Sequence, residues 1–278
     1  MKRLDLYQYA VQDPDRQAAV LAAIYQHCRP GLEALRLRED FAGNAADARA
    51  WLAADPRRSA VAVEADRATL RAARRAAAAD AVRARLQLIE ADVTRLPADA
   101  HAPVDLLCAL NYSIGYLHRR PVLVDYLRRA RQALAPQGVI VLNTFGGAAA
   151  LQPGVMRHPI EPPPEAALPA FDYCWEVRDY DPISARIDCR IHFEWRDRRG
   201  RPRAMPDAFV YRWRLWSPME LVEAMHEAGY VRARAWRHTA STRGGRTSVR
   251  FGPIRRWPQA QGYSLYVVGE VGAGSRDA

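Results

Sequence analysis

Between residues 34 and 143 short apolar runs alternate with helical stretches, and this alternation constrains the fold more than any other feature of the chain. Residues 34–39, 60–64, 85–90, 104–110 and 139–143 read as strands. Between them, 44–53, 65–79 and 119–134 read as helices, the last stopped by Pro136-Gln137-Gly138. A strand–helix–strand alternation implies right-handed crossovers and a mostly parallel sheet covered on both faces. Ahead of it, Asp13-Pro14 opens a helix that Pro30-Gly31 closes, preceded by the short aromatic segment 4–9.

After the fifth strand the texture changes. Residues 152–169 hold six prolines, at 153, 159, 162, 163, 164 and 169, which excludes regular helix and central strand. Three segments rich in aromatic and branched residues follow, at 171–179, 185–197 and 209–216, and read as an antiparallel meander. Ser217-Pro218-Met219-Glu220 has the form of a capping box, opening a helix that closes at Gly229. Strands at 230–236 and 263–271 complete the chain, joined by an Arg- and Gly-rich connection over 238–262. The expected organisation is therefore an N-terminal helical arm or lid (1–33), a nucleotide-binding core (34–147), a Pro-rich linker with an antiparallel cap over the substrate (148–216), and the C-terminal part of the core (217–278).

The formal charge of +10 invites a nucleic-acid partner. Lys2, however, is the only lysine, and arginines are scattered through helices amid abundant Ala and Pro. That pattern fits a compositional bias as well as a binding face. No apolar run has the length of a membrane span and the first residues lack a signal-peptide core, so a cytoplasmic protein is expected. Cys28, Cys108, Cys174 and Cys189 show no zinc-type spacing, and no metal is expected. A Cys174–Cys189 bridge across a hairpin is sterically conceivable but has no export signal behind it.

The chemistry-bearing stretch is Leu37-Arg38-Glu39-Asp40-Phe41-Ala42-Gly43-Asn44-Ala45, where the first strand turns into a helix. Small residues there let a ligand approach the backbone, and a helix N-terminus offers free N–H groups. Only Gly43 of a G-x-G-x-x-G pattern is present, so a plain tight turn explains this stretch equally well. Further acidic residues shift the balance. Glu64 ends the second strand about twenty residues on, where a carboxylate can accept both ribose hydroxyls. Asp92 follows the third strand, suited to an exocyclic adenine amine, and Asn111-Tyr112 ends the fourth. One acidic residue after a strand is usually a helix cap; an ordered set on successive strands is harder to explain that way.

With these residues the sequence resembles the class I S-adenosylmethionine-dependent methyltransferases. It is similar to a bacterial group whose first motif reads like L-R-E-D-F-C-G-T, here residues 37–44, with Ala42 and Asn44 in place of Cys and Thr. The likeness extends to Leu6-Tyr7, Val11-Gln12-Asp13-Pro14, Asn111-Tyr112-Ser113, Phe145-Gly146-Gly147 and residues 211–216. It implies a Rossmann-like, seven-stranded, mostly parallel sheet with helices on both faces and the antiparallel insertion after the fifth strand. It also implies S-adenosylmethionine as cofactor. Glu39 would lie near the methionine amino group, residues 41–45 (with Phe41, Ala42, Gly43 and Asn44) would form the loop beneath the cofactor, and Glu64 with Ala65 would hold the ribose. Asp92 with Val93 would hold the adenine, and Asn111 would sit beside the methionine moiety.

Methyl transfer needs alignment more than a fixed catalytic motif; a base is required only for an acceptor protonated at working pH. His118 and Tyr112 are the candidates for that role. Candidate substrate contacts are Tyr7 and Tyr9 in the N-terminal arm and His192, Tyr211, Trp213 and Arg214 in the meander. Arg246, in the Arg243-Gly244-Gly245-Arg246 run, suits a carboxylate or phosphate. The expected function is N- or O-methylation of a small molecule, anionic groups admitted, by a chain compatible with a homodimer and without a nucleic-acid module. The alternatives are an RNA or protein methyltransferase using the basic surface, and a non-catalytic cofactor-binding protein.

Overall fold

The computed structural model describes residues 2–79, 81–97, 99–243, 246–257 and 261–272. The chain folds into two units: residues 1–13, 146–215 and 261–263 form one, and 14–145, 216–260 and 264–278 form the other.

The larger unit is built on the expected alternation. Helix α1 (Arg3–Val11) belongs to the other unit; α2 (Pro14–Cys28) opens this one. Then follow β1 (Arg36–Asp40), α3 (Ala46–Ala54), β2 (Ser59–Glu64), α4 (Arg67–Ala79), β3 (Leu86–Glu90), β4 (Val104–Ala109), α5 (Arg120–Gln132) and β5 (Leu134–Gly146). After β6 (Gly154–Ile160), β7 (Phe171–Asp181), β8 (Arg186–Arg196) and β9 (Pro202–Arg214), which form the other sheet, the chain returns as α6 (Pro218–Glu227), β10 (Arg232–Arg243), β11 (Arg246–Pro253) and β12 (Tyr263–Glu270). The main sheet runs β11-β10-β12-β5-β4-β1-β2-β3. The pairs β1–β2, β1–β4, β2–β3 and β4–β5 are parallel, and β10 is antiparallel to both neighbours. Strand order reverses between β1 and β4, which opens a crevice at their carboxyl ends.

The expectation of seven strands is corrected to eight. The connection at 238–262 is not a loop: β10 continues to Arg243, and β11 pairs back on it from Arg243↔Arg246 to Trp236↔Pro253. Likewise Pro136-Gln137-Gly138 does not end a helix. Helix α5 ends at Gln132, and these residues form a bulge inside β5 between the Leu134 and Val139 pairings, with Gln137 at φ 68°. A bulge leaves its residues out of the ladder, so the N–H that Pro136 lacks is not needed and the strand continues.

Parallel strands buried on both faces should be continuous apolar runs. Ala60, Val61, Ala62 and Val63, Leu106 to Ala109, and Val139 to Leu142 are all buried. Helix α5 adds a stripe of Leu123, Tyr126, Leu127 and Ala130 at helical spacing, and α3 buries Trp51 and Leu52 completely. Each fully buried Val, Leu or Ile among these contributes roughly 1.5–3 kcal/mol. Strand β1 departs from the apolar rule, since Arg38, Glu39 and Asp40 are buried. Arg38 makes two hydrogen bonds to Asp40 (2.7 and 3.1 Å), and the Tyr126 hydroxyl donates to the same carboxylate (2.9 Å). Nδ1 of His101 donates to the Ala102 carbonyl (2.8 Å), leaving Nε2 to accept from Arg38 (3.2 Å). The capping box at Ser217 and Glu220 forms with both reciprocal bonds, and Gly229 follows the helix at φ 90°.

The smaller unit is the antiparallel meander β6-β7-β8-β9 with α1 against it. Proline does not exclude β6, because as an edge strand it carries Pro159 without a broken ladder. Cross-strand partners share a face. Trp175, Ile191 and Phe209 lie on one face, as do Val177, Cys189 and Tyr211, and Ile187 with Trp213. Glu176, Arg190 and His192 lie on the other. Tyr7 of α1 packs on Phe209 with ring centroids 4.7 Å apart. Cys174 pairs with His192 while Cys189 pairs with Val177, so the two cysteines face opposite sides, and all four cysteines are free. No helix among the described residues is long and apolar enough to cross a membrane.

Candidate cofactor and acceptor site

The carboxyl ends of β1, β2, β3 and β4 carry the residues expected to hold a nucleotide. After β1 the chain makes a left-handed loop: Phe41, Gly43 and Ala45 have φ of 54°, 56° and 55°. Phe41 and Ala45 stand where a glycine-rich motif would have glycines, and they adopt the backbone that glycine favours. Non-glycine residues there cost of order 1–2 kcal/mol each, so the surroundings must hold the loop. They do. The Ala42 N–H donates to the Val63 carbonyl (2.9 Å), Ala45 N–H donates to the Ala42 carbonyl (2.8 Å), and the Phe41 ring packs between Tyr116 and Tyr126.

Glu64 ties this loop to the end of β2. One carboxylate oxygen accepts the Gly43 N–H (2.8 Å) and the other accepts the Asp66 N–H (2.7 Å). Ala65 follows and is exposed. Asp92, exposed after β3, accepts from the backbone and hydroxyl of Thr94 (2.9 and 2.7 Å) through one oxygen. Val93 is buried, so only its backbone can face a ligand. Glu39 has a structural task that its sequence context does not reveal. Its carboxylate accepts the Ala48 N–H (2.9 Å), capping the first turn of α3 from outside the helix. Burial, reinforced by nearby Asp47, pushes the Glu39 carboxyl well above its usual range.

At the end of β4, Asn111 and Tyr112 are both left-handed (φ 54° and 59°), a strain of order 1–3 kcal/mol each. The Tyr112 N–H donates to the Asn143 side-chain oxygen (2.8 Å), the Tyr112 hydroxyl pairs with Ser264 (2.9 Å), and its ring packs on Phe145 at 4.7 Å. Burial raises the Tyr112 pKa, which favours the neutral phenol, and a neutral phenol does not take a proton from an acceptor. His118 is half-buried beyond the following 3-10 turn, which the Trp216 indole fixes by donating to the Leu117 carbonyl (3.0 Å). Sequence reasoning passes over Asn143 and Ser264. Asn143 carries a signal all the same, being the polar residue that directly follows the apolar run Val139–Leu142.

A Cβ on Gly43 would meet no atom within 4 Å. The loop is thus an open cradle bordered by carboxylates on adjacent strands, which fits an adenosine with a cationic amino acid tail. Residues 41–138 match the family model of a methyltransferase domain. No curated protein matches the chain in sequence. Solved structures of the same fold include the sugar N-methyltransferase KedS8 from a Streptoalloteichus species, 19% identical over 96% of this chain and 91% of that one, with a TM-score of 0.64. CalS10, an amino pentose methyltransferase from Micromonospora echinaspora, is 16% identical over 96% and 95%, with a TM-score of 0.66. DesVI from Streptomyces venezuelae is 17% identical over 96% and 95%, with a TM-score of 0.67.

The residues expected to contact the substrate do not form one surface. Tyr7, Tyr211 and Trp213 belong to the aromatic face of the meander: Tyr211 stacks on Trp213 at 4.2 Å and lies parallel to Phe209 at 6.4 Å. Tyr9 lies on α1 and is partly exposed. His192 and Arg214 lie on the opposite face. His192 Nδ1 accepts the Asp207 N–H (2.9 Å), which leaves the proton on Nε2 to bond Glu176 (3.0 Å). Glu176, His192 and Asp207 approach one another within 4.8 Å, yet both imidazole nitrogens are already engaged. Arg246 begins β11, and its side chain, like Gly244 and Gly245, lies outside the described residues.

Proposed function

We propose that the chain transfers a methyl group from S-adenosylmethionine to a small molecule, and that the acceptor is an amine on a sugar-like compound. The observation that carries the nucleotide half is the Gly43–Glu64 bond: a loop glycine-like in backbone is held by the carboxylate suited to a ribose, beside the switch point of the sheet. The acceptor half draws support from the sugar N-methyltransferase and amino pentose methyltransferase that share the fold, and from the half-buried rings of Tyr7 and Phe209, which suit a sugar ring or an ammonium group and are backed by the buried Tyr211 and Trp213.

In this reading Glu64 accepts the ribose hydroxyls through lone pairs left over from its backbone bonds. Asp92 accepts from the adenine amine, with the Val93 backbone at the ring edge. Glu39 and Asn111 serve the methionine end. When bound, S-adenosylmethionine supplies a carbon already activated by its sulfonium, so the protein's part is alignment and exclusion of water. An ammonium acceptor must lose a proton before it has a lone pair to offer. His118 is assigned that proton, because the Tyr112 phenol is held neutral and bonded to Ser264.

Tritium transfer from methyl-labelled cofactor tests the proposal, with amino sugars, bulk RNA and a protein mixture as competing acceptors. Label is expected in the amino sugar fraction. Label only in RNA or protein would overturn the acceptor assignment, and calorimetry showing no cofactor binding at millimolar concentration would overturn the whole reading.

A further inference from the structure

The turn after β4 poses a physical question that the nucleotide loop does not. Two successive non-glycine residues, Asn111 and Tyr112, are left-handed, a conformation that survives only where its surroundings over-determine it. Ser113 closes the turn locally, its N–H and hydroxyl both donating to the Leu110 carbonyl (3.1 and 2.6 Å). That bond fixes the tightness of the turn but not the orientation of the Asn111–Tyr112 peptide. The peptide is fixed by Asn143. The last β4–β5 pairing is Ala109↔Leu142, so Asn143 stands one residue past the paired ladder, on the strand beside β4. There its side-chain oxygen takes the Tyr112 N–H at 2.8 Å, the bond that a further ladder residue would have made through its backbone.

We infer that Asn143 is a positioning residue for the cofactor. Its amide oxygen locks the left-handed turn that presents Asn111 at the carboxyl edge of the sheet, and it needs to touch no ligand itself. The inference rests on the proposed reading that Asn111 serves the methionine end. It assigns the effect to one oxygen, so it separates two substitutions at the same position. Asn143→Asp keeps the acceptor; Asn143→Ala removes it.

Calorimetric titration with S-adenosylmethionine and S-adenosylhomocysteine, paired with thermal melts, tests it. Asn143→Ala is expected to weaken both ligands about tenfold or more, while Asn143→Asp stays within about threefold of the parent and both variants melt cooperatively. Unchanged affinity in Asn143→Ala would overturn the inference, as would equal losses in the two variants. Should the parent chain itself bind neither ligand, the nucleotide reading falls and takes this inference with it. If Asn143→Ala does not fold, Asn143→Ser, too short to reach the Tyr112 N–H, takes its place with the same expected loss.

Discussion

In the proposed cofactor site, Gly43 and Glu64 bear on both binding and stability. At φ 56° with open space around it, Gly43 tolerates a methyl group sterically, so Gly43→Ala is expected to cost only about 1–2 kcal/mol of stability through its left-handed backbone. The added Cβ would stand in the cradle, and S-adenosylmethionine affinity should fall at least tenfold, measured by calorimetry against a thermal melt. Glu64→Gln keeps an acceptor for the Gly43 N–H but exchanges charge-assisted hydrogen bonds for neutral ones. Bonds of the first kind are worth about 1.5–3 kcal/mol and of the second about 0.5–1.5, and the new amide group faces the Asp66 N–H that the second oxygen accepted, so a loss near tenfold in affinity is expected together with about 1–3 kcal/mol of stability. Glu64 stands out in the sequence as a candidate because charge at the end of an apolar strand is conspicuous. The loop backbone does not. Phe41 and Ala45 hide the positive φ that glycine would have advertised, and nothing in the sequence shows that Glu39 also caps a helix nine residues away.

Strand β1 is the element that binds these residues to the fold, and its buried charges make it sensitive to acid. Burial, then the Arg38 guanidinium, lowers the His101 pKa below its usual 6.5. Below about pH 6.5 the unfolded chain takes up a proton that the folded chain resists, so stability falls as pH drops towards the folded value and levels off beneath it. Urea midpoints at pH 7.5 and pH 5.5 should show the decline, and His101→Gln should reduce it. Asp40→Ala is expected to cost about 3–5 kcal/mol, because it leaves the Arg38 charge buried without its carboxylate; a loss under 1 kcal/mol in denaturant melts would refute this. At this scale the sequence was readable where burial produces continuous apolar runs, as in β2, β4 and β5. It was opaque for β11, whose Arg, Ser and Thr content reads as loop although an edge hairpin asks only for backbone pairing. It was half-readable for β6, since proline excludes a central strand but not an edge.

For the molecule as a whole, the +10 charge and the cofactor site make opposite demands on experiment. Saturation with S-adenosylhomocysteine at a hundred times its Kd adds about 2.7 kcal/mol, which should raise the melting temperature by roughly 5–10 °C at 2–4 °C per kcal/mol. Bulk RNA at physiological salt should leave it in place; an RNA-induced shift of the same size would favour the basic surface as the working face. The path of the chain carries one more consequence. It enters the antiparallel unit at Gly146 and leaves it at Leu215, with residues 261–263 returning to the same unit. Gly147 is held at φ 101°, where a Cβ would strike the Gln261 carbonyl at 2.6 Å and the Gly262 Cα at 2.7 Å. Residues 146–215 are therefore a transplantable cassette with a built-in latch only in company with residues 1–13 and 261–263, which belong to the same unit. An engineer who exchanges it between related scaffolds must keep glycine at 147 and carry both outlying segments along.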